Sequence, residues 1–275
     1  KILFFMTLGK RPVGKVWMNG LFITPEKALE SIFIHTTHYG DGVFEGIRFY
    51  ETERWPAIFR LQDHVERLFR SAESIYIKIP FSREEITTAT LETVMRSGLK
   101  SGYIRPLTYF GEGLGVDPKE CEVKTAIGVL DWRPYLGDEP GRVKIPSIMR
   151  IHPKAEEVES KICGQYANSS RATREVREKG YKEALFLDYE DNIAEGSGQN
   201  VFFVKNNILF TPQRGTILLG ITRNSLMQIA NDEGIEAMEK KVSLDEALNT
   251  DESFFCGTAT EISPIKSITD KGDVE

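Results

Sequence analysis

A run rich in proline and glycine, Arg133-Pro134-Tyr135-Leu136-Gly137-Asp138-Glu139-Pro140-Gly141, interrupts the chain near its middle and constrains the fold more than any other stretch. It suits neither a helix interior nor a central strand, so it reads as a linker. On that reading residues 1–130 form a small domain, 131–141 an interdomain loop and 142–275 a large domain. A chain of 275 residues is near the upper limit for one hydrophobic core, which also favours two units.

The first part mixes helix and strand signals. Val16–Ile23 reads as a hairpin turning at Asn19-Gly20. Asp63 opens a helical pattern in which Val65, Leu68, Phe69, Ala72, Ile75 and Tyr76 share a face. Ser82 with Glu85 forms a capping-box signature for the next helix. Tyr103–Phe110 and Thr125–Trp132 read as strands around the glycine-rich loop 111–116. The second part is mostly β. Arg142–Arg150 and Ala184–Asp188 read as strands, and Val201–Val204 with Ile208–Phe210 form a hairpin around Asn206-Asn207. Thr222 is placed to cap a helix that ends at Gly234, Ser243 with Glu246 forms a second capping box, and Phe254-Phe255-Cys256 reads as a strand.

Several function classes fall away on composition. A net charge of −6 with no basic run argues against a nucleic-acid surface. No apolar segment approaches the length of a membrane helix. Residues 2–8 read as a first strand or an ordered N-terminal arm, since no small-residue cleavage site follows them. Cys121, Cys163 and Cys256 have no metal-type spacing and suit reduced, buried thiols in a cytoplasmic protein. Cys163, close to Lys161, is also a candidate for oxidation. Gly40, Gly42 and Gly46 permit close backbone approach, but their spacing fits no phosphate-loop fingerprint.

The stretch Ser160–Ser170 sets one lysine, Lys161, among small and polar residues, with Tyr166 five positions on. Alone, such a lysine is a solvated surface group. Downstream, however, stand Glu195-Gly196-Ser197-Gly198-Gln199-Asn200-Val201-Phe202, then Gly220-Ile221-Thr222-Arg223, then Gly257-Thr258-Ala259-Thr260. Upstream are His38-Tyr39-Gly40-Asp41-Gly42-Val43-Phe44-Glu45-Gly46-Ile47-Arg48 and Tyr103-Ile104-Arg105-Pro106-Leu107. These six segments, in this order, resemble the fold-type IV pyridoxal-phosphate enzymes (class IV aminotransferases), most closely the branched-chain amino acid aminotransferases. The likeness runs from about Val16 to Ile265.

The resemblance implies an α+β (mixed α/β) fold of two domains, a smaller α/β N-terminal one and a larger β-rich C-terminal one with a pseudo-barrel. It implies pyridoxal 5'-phosphate as cofactor and a ping-pong transfer of the amino group between leucine, isoleucine or valine and 2-oxoglutarate. Lys161 would be the Schiff-base lysine and the proton carrier, roles that need a neutral amine at some stage. Tyr166 would meet the cofactor's phenolic oxygen, and Glu195 its ring nitrogen. Leu218 would pack on the ring. The phosphate would be met by Ile221 and Thr222 at a helix start, with Thr258 and Arg60. The substrate α-carboxylate would be held by the turn amides at Thr258-Ala259 and the Tyr103 hydroxyl. Arg105 and Tyr39 would meet the second carboxylate of glutamate, and Phe44, Trp132 and Tyr135 would form an apolar wall. Loop 111–116 would reach a neighbouring subunit's pocket, which implies a homodimer or higher homo-oligomer.

Two further readings are compatible with the same lysine and glutamate: a D-amino acid transaminase and an aminodeoxychorismate lyase. A catalytically silent binding protein is a third. The wording at Ile34–Thr37 and Asp131–Pro134 departs from the family's commonest form, and Arg133 puts a charge near the proposed apolar wall. By the same resemblance an apolar helix beyond Glu275 would be expected to cover the large domain, and its absence would expose a hydrophobic patch.

Overall fold

A computed structural model describes residues 11–132, 135–137, 139–270 and 272. The expected N-terminal strand or arm at residues 2–8, and Arg133 with Pro134, lie outside the described residues.

The strands from Val16 to Leu130 form one sheet. They are β1 (Val16–Met18), β2 (Leu21–Ile23), β3 (Val43–Phe44), β4 (Ile47–Tyr50), β5 (Ala57–Ile58), β6 (Gly102–Phe110) and β7 (Val123–Leu130). Their order is β2-β1-β7-β6-β4-β5, with β3 also paired to β6. The β1–β2 turn is the expected Asn19-Gly20. Both residues take left-handed φ, 48° and 88°, which matches the twist of a two-residue hairpin. Helix α1 (His35–Tyr39) is short, while α2 (Leu61–Ser74) and α3 (Arg83–Ser97) pack together beside the sheet. Phe49, Leu68, Ile86 and Ile104 meet in the core between them. The Ser82–Glu85 capping box is formed in both directions.

The strands from Gly141 to Thr269 form a second sheet: β8 (Gly141–Lys144), β9 (Glu183–Leu187), β10 (Ile193–Gly196), β11 (Asn200–Lys205), β12 (Ile208–Pro212), β13 (Ala237–Lys240), β14 (Glu252–Gly257) and β15 (Glu261–Thr269). The order is β10-β9-β8-β15-β14-β11-β12-β13. Its two ends meet, because Ile193 N–H donates to Val242 just past β13 and Asn192 bridges Ser243. The sheet therefore curls into a half-barrel around Leu185, Val201, Phe203, Phe210 and Phe255. Helix α4 (Tyr166–Glu178) lays Ala172 and Val176 against Ala184 and Phe186, and α5 (Ile221–Asp232) and α6 (Leu244–Leu248) complete the mixed α/β architecture.

Four local expectations are corrected. Helix α2 starts at Leu61 and ends at Ser74, so Tyr76 falls beyond it, 91% exposed with φ 61°. The strand expected over 142–150 ends at Lys144, two residues before Pro146, which has no N–H for a ladder. Thr222 lies inside α5 and Gly220 is the N-cap. Ser243 accepts from Glu246 N–H, but Glu246 turns its carboxylate to Lys240, leaving half a capping box.

Candidate active site

Lys161 stands at the seam between the two sheets. Its N–H donates to the Ser71 hydroxyl on α2 at 2.9 Å, its carbonyl accepts from Phe44 N–H at 3.2 Å, and Ile162 bridges Val43. The chain then turns through a short 3₁₀ segment, Cys163–Gln165, into α4. That turn brings Tyr166 back onto the lysine, with Nζ 2.7 Å from its Oη. Nζ also lies 4.9 Å from the centre of the Phe44 ring.

Glu195, 5% exposed, sits at the end of β10. Its carboxylate accepts from Arg150 Nε at 2.8 Å, Asn200 Nδ2 at 3.0 Å and Leu218 N–H at 3.2 Å. Burial pushes the carboxyl above its ordinary range, and Arg150, Leu218 N–H and Lys161 pull against that rise. Arg150 Nη1 and Gln199 Nε2 are buried with no hydrogen-bond partner among the described residues, and both side chains line the same cavity. Gly220, the cap of α5, leaves that helix's first turn open. A Cβ there would stand 2.0 Å from Asn200 Oδ1.

Two adjoining cavities share walls at the site. The inner one is walled by Lys161, Tyr166, Glu195 and Leu218, by Ile221 and Thr222 at the start of α5, and by Thr258 with Ala259. The outer one, of about 740 Å³, is walled by Phe44, Tyr103, Arg105, Trp132 and Tyr135, and Lys161, Tyr166 and Ala259 face both. The Arg105 guanidinium packs over Phe44 at 4.6 Å, Tyr103 at 5.3 Å and Trp132 at 5.9 Å. Among the described residues its one hydrogen bond is a long one to Tyr103 Oη, 3.4 Å, so most of its donors are unengaged there.

Two expected residues lie elsewhere. Arg60 reaches the first turn of α5 from behind, through Ile221 O, Asn224 Oδ1 and Ser225 Oγ, and is forked onto Asp63 at 2.9 Å. The arginines that line the inner cavity are Arg67 and Arg150. Tyr39 is outside both cavities of its own chain. It is 45% exposed at the end of α1, and its hydroxyl accepts from Gly115 N–H.

Some residues with a part in the site escaped the sequence reading. Arg48 is 6% exposed and donates to the carbonyls of Thr258, Ala259 and Trp132. Because peptides are planar and trans, drawing the Thr258 carbonyl to Arg48 turns the Ala259 N–H the opposite way. Arg67 forks onto Glu45 (2.6 and 2.9 Å) and donates to Leu219 O at 3.0 Å. Glu45 also accepts from His64 at 2.7 Å. An arginine inside the apolar strand Ile47-Arg48-Phe49 was the available signal for the first. Nothing local marked the others. For Cys163, burial pushes the thiol up to about 11, so the reactive thiolate is scarce and the oxidation reading weakens.

A half-buried lysine held by a tyrosine, a buried glutamate and an open helix N-terminus, all around one cavity, are parts of a cofactor-dependent group-transfer site. The chain belongs to the class IV aminotransferases, whose family model matches residues 42–268. Within that family it is similar to branched-chain-amino-acid aminotransferases. It is 40% identical over 260 residues to that of Pseudomonas aeruginosa, covering 93% of this chain and 85% of that one. The crystal structure of the branched-chain aminotransferase of Thermoproteus uzoniensis with norvaline matches at a TM-score of 0.90 and 40% identity, over 94% of this chain and 88% of that one. That of the Thermobaculum terrenum branched-chain amino acid aminotransferase in its PLP form matches at a TM-score of 0.88 and 33% identity, over 94% and 87%. No helix among the described residues is long and apolar enough to cross a membrane.

Proposed function

We propose that the protein is a pyridoxal 5'-phosphate-dependent transaminase that moves the amino group between L-leucine, L-isoleucine or L-valine and 2-oxoglutarate by a ping-pong cycle. The observation that carries this reading is the single cavity in which Lys161 Nζ, Glu195 and the first turn of α5 converge. The donor set fits the cofactor: an acid at one end for a basic ring nitrogen, and a helix start at the other for a phosphate. The two unpartnered buried donors, Arg150 Nη1 and Gln199 Nε2, add capacity for acceptor atoms. When bound, the cofactor supplies an electron sink for the bonds at the substrate Cα.

The chain's own groups do the rest. Lys161 supplies the amine that holds the cofactor and, once released, takes and returns a proton at Nζ. Tyr166, in contact with Nζ, orients that amine. Glu195, held by Arg150, stabilises a proton on the ring nitrogen. Leu218 would pack on the cofactor ring, and Ile221, Thr222 and Thr258 would hold its phosphate, with Arg60 fixing the helix turn that does so. Tyr103 Oη and the Ala259 amide hold the substrate α-carboxylate. Phe44, Trp132 and Tyr135 receive a branched apolar side chain, and Arg105, with donors to spare above the aromatic rings, receives a second carboxylate. Tyr39 with Leu114 and Val116, which are 45%, 63% and 85% exposed, would serve a second copy's cavity, so a homodimer is the minimum assembly. Three free cysteines suit a cytoplasmic setting.

The test is amino transfer from L-leucine to 2-oxoglutarate by purified protein with added cofactor, read as 4-methyl-2-oxopentanoate and glutamate formed. Lys161→Ala should abolish it while the variant stays folded and keeps its affinity for the phosphate end. Transfer from D-alanine but not from L-leucine would sink the reading in favour of a D-amino acid transaminase.

A further inference from the structure

Tyr135 is held at both ends across the outer wall of the substrate cavity. Its N–H donates to Ala259 O at 2.8 Å, which ties its backbone to the turn assigned above to the α-carboxylate. Its hydroxyl accepts from Arg177 Nη2 on α4 at 3.2 Å, and that guanidinium lies 5.6 Å from the ring centre. Arg177 is itself anchored: Nε donates to Lys182 O at 3.2 Å, and Nη2 lies 3.8 Å from Glu183 Oε2. Glu183 is fully buried. Its Oε1 accepts from the Thr173 hydroxyl and Ala184 N–H, while Oε2 makes no hydrogen bond among the described residues. Arg177 is its one ion pair among the described residues. A buried carboxylate left without a cation is costly, so Glu183 holds the guanidinium where it stands.

We propose that Arg177 is a positioning residue for substrate selection: braced by Glu183, it pins the Tyr135 ring as the outer wall against which a branched side chain packs. The inference rests on the transaminase reading above and goes beyond it. A tyrosine side chain has two rotatable bonds, and with its hydroxyl released the ring is free to swing off the cavity. A long apolar side chain then loses a wall that a methyl group does not reach. The loss falls on discrimination between donors, not on the chemical step, because neither Arg177 nor Tyr135 touches Lys161 Nζ by any contact described.

The experiment compares kcat/KM for L-leucine with that for L-alanine in the holoenzyme and in Tyr135→Phe, Arg177→Lys and the double variant. Tyr135→Phe keeps the ring and leaves the Arg177–Glu183 pair whole, so a purely structural role for Arg177 predicts no change in it. Arg177→Lys keeps the charge beside Glu183 but loses the planar fork. The expected result is a fall in the leucine-to-alanine ratio of about tenfold, the worth of one lost apolar contact in a pocket, carried by the KM for leucine. The double variant should be no worse than either single one, since both break the same link. A ratio within about twofold of the parent in Tyr135→Phe, or effects that multiply in the double variant, overturns the inference while leaving the transaminase reading intact. A parent that transfers nothing from leucine overturns both.

Discussion

Gly46→Ala tests the substrate clamp by steric means alone. Gly46 has no left-handed φ, so alanine brings no backbone strain there. A Cβ built on it would stand 1.7 Å from Tyr103 Oη and 2.6 Å from its Cζ. Restoring ordinary contact at 3.4 Å requires the ring tip to retreat by about 1.7 Å. The ring has little room to do so. Tyr103 is 4% exposed, packs on Trp132 at 4.9 Å, and carries Arg48 and Arg105 over its face. Overpacking of this kind costs about 1–3 kcal/mol, which for a chain of this length lowers the melting midpoint by roughly 2–4 °C per kcal/mol. The displaced hydroxyl no longer meets the α-carboxylate, and a hydrogen bond to a charged group is worth about 1.5–3 kcal/mol. At about 1.4 kcal/mol per tenfold, kcat/KM should fall at least tenfold. Because every substrate carries that carboxylate, leucine and 2-oxoglutarate should suffer alike, with the loss in KM. Tyr103→Phe should reproduce the kinetic defect without the thermal one. A folded Gly46→Ala protein with both KM values within twofold of the parent would refute the assignment of Tyr103.

Two further expectations concern the buried cluster behind the site. Arg67→Met leaves Glu45, fully buried, without its bidentate partner, and breaking such a pair costs about 3–5 kcal/mol. The shift of the urea midpoint at constant slope measures it, and a loss under about 1 kcal/mol would mean Glu45 is not charged in the fold. Acid stability follows from the same cluster. Burial holds the His64 imidazole below its ordinary value, against the pull of Glu45. The unfolded chain therefore takes up that proton first, and stability drains away as pH falls through about 6.5 towards the lower folded value. Burial alone would raise the Glu45 carboxyl, but Arg67 and His64 outweigh it and hold it well below the usual range. Its contribution is present above about pH 4.3 and lost as pH falls further. Melting midpoints from pH 8 down to about pH 2 should decline in two stages, the upper one from His64 and the lower one, below about pH 4.3, from Glu45, and His64→Gln should remove the upper one. A parent curve flat down to pH 5 contradicts this.

Legibility tracked how local each cause was. The Asn19-Gly20 hairpin and the Ser82–Glu85 box were readable because the residues that decide them are adjacent or one turn apart. The strand expected over 142–150 falls short because its apolar alternation runs straight through Pro146, whose missing N–H ends the ladder. Thr222 suits a cap by residue type, whereas Gly220 takes that place by letting Asn200 approach. In the site, Lys161 and Glu195 gained meaning only from the order of distant motifs. Arg48 was invisible in its role, since the carbonyls it holds lie 210 and 211 residues away. Tyr39 lies outside its own chain's two cavities, because α1 ends there with the tyrosine hydroxyl turned to Gly115 N–H, a contact 76 residues away in sequence.

The cross-links of the site share one geometry. Lys161 belongs by sequence to the second half, yet its backbone is held by Ser71 and Phe44 of the first. Arg48 and Arg67 belong to the first half and hold carbonyls at 258–259 and 219 of the second. Each of these bonds crosses the seam and is at least partly buried, where water cannot replace a lost partner. Each half supplies its own apolar core, so relative placement of the halves depends disproportionately on these polar ties. A substitution that loosens one tie should therefore shift the reacting groups against each other while both cores persist. Activity would then fail at a lower urea concentration than secondary structure does, in Arg48→Met more than in the parent, and coincident losses in both proteins would show that the seam melts only with the cores.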